Sequence, residues 1–141
     1  MEPVARHLIF HAAVVLIIGL LCGMPYGRAV NRKAPEQVVH SWRVAHLALP
    51  LGAILMLAIA AILTSFTVAV SVKWVLAVAL IVSSYAFSFS LPLAALVGQR
   101  GLSSKGPAAA KWVYLGNMLG ASTSLMAAVV LLYAAYVSLI G

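Results

Sequence analysis

Residues 43–66 read RVAHLALPLGAILMLAIAAILTSF. After Arg43 the run holds one ionisable side chain, His46. At about 1.5 Å per residue it is long enough to cross a hydrocarbon core of about 30 Å. In lipid such a run needs only its own backbone hydrogen bonds, which a helix supplies. It is therefore read as a transmembrane helix. Three further apolar runs, over 8–24, 73–97 and 108–140, qualify on the same ground. The last is long enough to tilt or to project beyond the lipid. The expected fold class is all-α, an integral membrane four-helix bundle forming a single transmembrane domain over residues 1–141.

Composition points the same way. The chain is 65% hydrophobic, against roughly half in globular proteins. A chain of 141 residues cannot bury that much apolar surface in a core of its own, so lipid is the expected partner. The first run has the look of a signal peptide, but it lacks a small-x-small cleavage site and three similar runs follow, so it is expected to be retained. The net charge of +7 does not indicate nucleic acid, because the basic residues occupy short gaps between apolar runs. Anionic headgroups or the acidic groups of a cofactor suit them better. The lone cysteine, Cys22, excludes a disulfide within the chain.

Trp42, Trp74 and Trp112 fall near the starts of predicted helices, and Tyr26, Tyr133 and Tyr136 near ends, the distribution of an aromatic belt. Arg28, Arg32, Lys33, Arg43, Arg100, Lys105 and Lys111 belong to the first and third connections, against Arg6 and Lys73 on the opposite side. The positive-inside rule then places both basic connections in the cytoplasm of a multi-pass inner-membrane protein. Arginines held by a cofactor's carboxylates would weaken that assignment.

Pro50 and Pro92 lie inside apolar runs, where each frees the carbonyl four residues back; for Pro50 this is the carbonyl of His46. Gly19-x-x-x-Gly23 and Gly116-x-x-x-Gly120 permit close helix contact, within one subunit or between subunits.

Few side chains are equipped for chemistry. No span contains a carboxylate and the chain has no aspartate. Paired-carboxylate catalysis, a carboxylate proton relay and a Ser/His/Asp triad are therefore excluded. A small multidrug-type transporter, which shares the four-helix size, ordinarily needs an intramembrane carboxylate and ranks last for that reason. His7 and His11 share a helix face, but two histidines make a poor metal site; interfacial hydrogen bonding suits them better. His40 lies near the end of a span. His46, one turn inside its helix, is open to two readings, a hydrogen-bonded packing residue or a ligand.

The run Trp42-Arg43-Val44-Ala45-His46, followed by Pro50 and Gly52, resembles the styrene oxide isomerase family. His11 ahead of Leu20-Leu21-Cys22-Gly23, and Arg100-Gly101-Leu102 ahead of Gly106-Pro107, are similar to the same family in order and spacing. The resemblance implies a homotrimer with ferric haem b between neighbouring subunits, its iron held by His46, and isomerisation of an aryl epoxide to an aldehyde. Trp42, Arg43 and Arg100 are the further residues expected about the cofactor. The family's substrate-placing asparagine, aspartate and tyrosine correspond here to Gly52, Ser83 and Leu91. Tyr85 and Asn117 are the candidate catalytic substitutes. A haem b protein without isomerase activity, such as a sensor or carrier, is the alternative reading, and a purely structural membrane subunit is a further one.

Helix geometry limits the ligation. His11 precedes the end of its helix by about 14 residues, roughly 20 Å of rise, and His46 on the antiparallel neighbour recovers only about 6 Å. Both cannot reach one iron at nitrogen-ligand distances of about 2 Å. A haem on His46 is thus expected to keep an open or exchangeable position, from which ferric iron can act as a Lewis acid on an epoxide oxygen. Carbon–oxygen cleavage followed by a 1,2-hydride shift would yield the aldehyde.

Overall fold

The computed structural model describes residues 1–98 and 105–141. Its helices are α1 (Pro3–Leu21), α2 (Gly23–Asn31), α3 (Glu36–Ile62), α4 (Val70–Val97) and α5 (Ala108–Ile140), with one 3₁₀ turn, Leu63–Ser65, after α3. Together α1 and α2 make one span, so four segments are long and apolar enough to cross a membrane. The protein is a multi-pass, all-α membrane bundle.

The first span is longer than its apolar run. It starts at Pro3, whose missing N–H is harmless at a helix start. There Lys73 Nζ donates to Glu2 Oε1 at 2.9 Å, fastening the start of α1 to the start of α4. At its other end the sequence places a stop at Met24, before Pro25. The helix instead breaks at Cys22 and restarts at Gly23. Pro25 thereby falls in the first turn of α2, where an N–H would have no partner in any case. Past the break the helix continues to Asn31, and Lys33 turns the chain in a left-handed conformation (φ 51°). Pro35 then precedes α3, whose first turn carries Glu36, a charge favoured at a helix N-terminus.

Leu8, Val15, Met56, Leu63 and Leu76 are fully buried where α1, α3 and α4 meet. The outer helix, α5, packs chiefly on α4. Only 11% of its most apolar window is buried, against 44% for α4, which puts α5 at the periphery. Its two glycines explain the closeness of that contact. A Cβ on Gly116 would stand 2.7 Å from Ser90 Cβ, and one on Gly120 would stand 2.9 Å from the Phe87 ring. The Gly19/Gly23 pair likewise receives α3 of the same chain. Both small-residue pairs therefore serve packing within one subunit.

Candidate cofactor site and apolar cavity

One face of α3 is pressed against the break in the first span. Arg43, His46 and Pro50, spaced i, i+3 and i+7, meet Tyr26, Gly23 and Gly19, spaced i+7, i+4 and i along α1 and α2. A Cβ on Gly19 would collide with the Pro50 ring. A Cβ on Gly23 would stand 2.9 Å from His46 Cε1. Only glycine at these two positions lets the imidazole and the proline lie this close to α1.

Against this cradle His46 Nδ1 lies 3.0 Å from the Gly19 carbonyl oxygen. That oxygen can only accept, so Nδ1 carries the proton and donates it. Nε2 then holds the lone pair. An imidazole that ligates a metal is commonly fixed in this way, its other nitrogen donating to a backbone carbonyl. The Tyr26 ring stacks on the imidazole, centroids 6.1 Å apart and planes 26° apart. Arg43 Nε donates to the Tyr26 hydroxyl at 3.3 Å, its guanidinium carbon 5.9 Å from the ring centroid. Arg43 is exposed, while Trp42 is half-buried against the core. Arg100 lies outside the described residues. Among the described residues no three His, Cys, Asp or Glu side chains converge. A bare ion would find too few ligands here, whereas a macrocycle brings four nitrogens of its own and asks one of the protein.

The other notable chemistry lies nearer the chain's start. His11 Nδ1 and the Tyr85 hydroxyl share a hydrogen bond of 2.9 Å, with His7 stacked on His11 at 6.2 Å and set against Trp74 at 5.4 Å. Eight residues of α1 separate His11 from Gly19, about 12 Å of rise. The structure thus brings Tyr85 to His11 and not to His46. Asn117 is half-buried on α5 between the two packing glycines.

A cavity of about 730 Å³ opens between α3 and α4. Val44, Ala48, Leu51 and Leu55 form its α3 wall, and Leu80, Phe87 and Leu91 part of its α4 wall. His46 is not part of this lining. It follows Val44 by two residues, roughly 200° around the helix, and so faces away from the cavity. Two serines of the lining are engaged elsewhere: Ser83 Oγ donates to the Gly120 carbonyl at 2.8 Å and Ser84 Oγ to Met56 Sδ at 3.1 Å. The cavity is dry in character.

A family model described as styrene oxide isomerase matches residues 4–136. The chain belongs to the styrene oxide isomerase family. No curated protein and no solved structure matches it significantly. The positions that the sequence resemblance assigns to the isomerase family's asparagine, aspartate and tyrosine, here Gly52, Ser83 and Leu91, all line this cavity. Gly52 lies on the α3 wall and Ser83 and Leu91 on the α4 wall, so the fold brings them to one cavity from two helices.

Sequence reasoning placed Tyr26 only in the aromatic belt and missed it as the neighbour of His46. A signal was present. Gly19, Gly23 and Tyr26 form one helical stripe, and Arg43 and His46 another.

Proposed function

We propose that the protein is a membrane-bound isomerase that converts an aryl epoxide of the styrene oxide type to an aldehyde, with haem b held by His46. One observation supports the cofactor assignment: His46 Nδ1 donates a hydrogen bond to the Gly19 carbonyl, which leaves Nε2 available to ligate a metal. Family membership over residues 4–136 carries the reaction. When bound, a ferric haem would supply a Lewis acid for opening the epoxide.

The chain's own residues do the rest. Gly19, Gly23 and Tyr26 hold the imidazole plane. Arg43, with Arg28 and Arg32 on the same side of the membrane, offers cations to propionate carboxylates. The cavity walls keep water from the opened epoxide, which would otherwise end as a diol. A 1,2-hydride shift moves hydrogen within the substrate, so no protein acid or base has to deliver a proton. Spans without carboxylates suit such a reaction.

His46 and the cavity occupy opposite faces of α3, and a second copy, set head to tail, would lay its cavity over the first copy's His46. Contacts of that kind form a ring where the rotation between copies closes, in keeping with the homotrimer the resemblance implies.

The test has two stages. The purified protein, expressed with adequate haem supply, should show a Soret band that His46→Ala abolishes and His11→Ala retains. A colourless wild-type protein would remove the haem assignment. Incubation with styrene oxide should yield phenylacetaldehyde. Failure to turn over any aryl epoxide would leave haem binding standing and defeat the isomerase reading, in favour of a haem protein whose departures at Gly52, Ser83 and Leu91 have removed catalysis.

A further inference from the structure

Glycine inside a helix is disfavoured relative to alanine, so a helical glycine asks for a reason. Gly19, Gly23, Gly116 and Gly120 each have one, since a Cβ on any of them would come within 3 Å of a neighbouring side chain. Gly27 in α2 and Gly52 in α3 differ, since a Cβ at either would meet nothing within 4 Å. Of the two, Gly52 lies in the middle of a span. The space over it is the cavity, whose wall Gly52 helps to form. Packing within the chain does not account for this glycine, but an occupant of the cavity would.

The walls describe that occupant. At about 730 Å³ the cavity is of the size that holds drug-sized ligands, well beyond one phenyl ring. Leu91 and Phe87 present apolar surface, and the hydroxyls of Ser83 and Ser84 are turned onto Gly120 and Met56. Ser124 is the third serine of the lining, so a polar group on the ring of a bound molecule would find few partners among mostly apolar walls.

We propose that the cavity seats a two-ring aryl epoxide without polar ring substituents, and that Gly52 sets the size limit. The inference rests on the isomerase reading for its chemistry and on Gly52 and the cavity for its selectivity.

The experiment compares kcat/KM for styrene oxide and 2-naphthyloxirane in the haem-loaded wild type and in Gly52→Leu. The variant should fold, because a Cβ at this position meets nothing within 4 Å and the cavity lies beyond it, and an unchanged Soret band is the control. The wild type should use the naphthyl substrate at least as well as styrene oxide. Gly52→Leu should lose about tenfold more of its kcat/KM on the naphthyl substrate than on styrene oxide, the scale of discrimination a hydrophobic pocket achieves. Equal effects on both substrates, or a wild type that rejects the naphthyl epoxide, would overturn the proposal. A second measurement separates its fate from that of the isomerase reading. Radiolabelled 2-vinylnaphthalene, the unreactive alkene, should bind wild-type protein in nanodiscs above empty nanodiscs, and Gly52→Leu should weaken that binding. Should neither epoxide turn over, this difference would still support the cavity's selectivity. Equal binding to both proteins, or none above empty nanodiscs, would overturn it.

Discussion

The imidazole of His46 and the carbonyl of Gly19 are joined across the α1–α3 contact at 3.0 Å, at the point where the first span breaks. The break and the bond belong together. The chain restarts at Gly23, and the Gly19 carbonyl, four residues earlier, serves a side chain from another helix.

Gly23→Ala tests how tightly this seat is built. The new methyl would stand 2.9 Å from His46 Cε1 and 3.1 Å from Nδ1, so the ring must move. Overpacking of this kind costs about 1–3 kcal/mol. Thermal unfolding should show that loss, and haem titration should show weakened binding with a shifted Soret maximum. A variant that binds haem as the wild type does would mean that the ring's position is not set by the glycine.

Tyr26 is expected to act through its ring. An aromatic pair contributes about 0.5–1.5 kcal/mol beyond buried area. Tyr26→Ala should raise the haem Kd by about two- to tenfold on that scale. Tyr26→Phe keeps the stack, loses only the 3.3 Å bond from Arg43, and should stay close to the wild type. If Phe were as damaging as Ala, the hydroxyl would be the important part.

Tyr85 was a candidate for catalysis by residue type, and its bond to His11 gives it a definite structural partner. Removing the hydroxyl with Tyr85→Phe should cost about 1 kcal/mol of stability and leave the Soret band unchanged. A large fall in kcat with unaltered haem content and stability would restore Tyr85 to the reaction.

Glu2 and Lys73 hold the bundle's other end. The Lys73 side chain is 7% exposed and that of Glu2 32%. Breaking a fully buried pair costs about 3–5 kcal/mol; with Glu2 partly wet, Glu2→Gln should cost about 2 kcal/mol, at the low end of such losses. Glu2→Gln with Lys73→Met should recover much of it, since no charge is then left buried. A Tm unchanged by Glu2→Gln alone would show that the ammonium finds another partner.

The four spans were legible because lipid forces each segment to satisfy its own backbone, so a long apolar run has one outcome. Orientation about each helix axis was not. When residues such as Leu47, Leu49 and Leu51 are apolar on every side of α3, no stripe announces which side meets a neighbour. His46 could thus be recognised as the residue of interest, while its turn toward Gly19 and away from the cavity could not. The helix boundary failed for a related reason. The apolar run ends at Met24, but the helix goes on, because Pro25 is at home in a first turn and a break at Cys22 provided one. The cavity wall was the reverse case. Gly52, Ser83 and Leu91 were identified by counting from motifs, and only the fold shows that they line one cavity.

That α3 turns its histidine one way and its cavity the other has a consequence for how activity is inherited by an assembly. Under the proposed function a chain could not serve itself; each would lend a ligand to one neighbour and borrow a pocket from the next. Mixing His46→Ala chains with chains whose cavity is plugged should then rebuild some intact sites from two defective parents, and dilution to single chains should abolish turnover without unfolding anything.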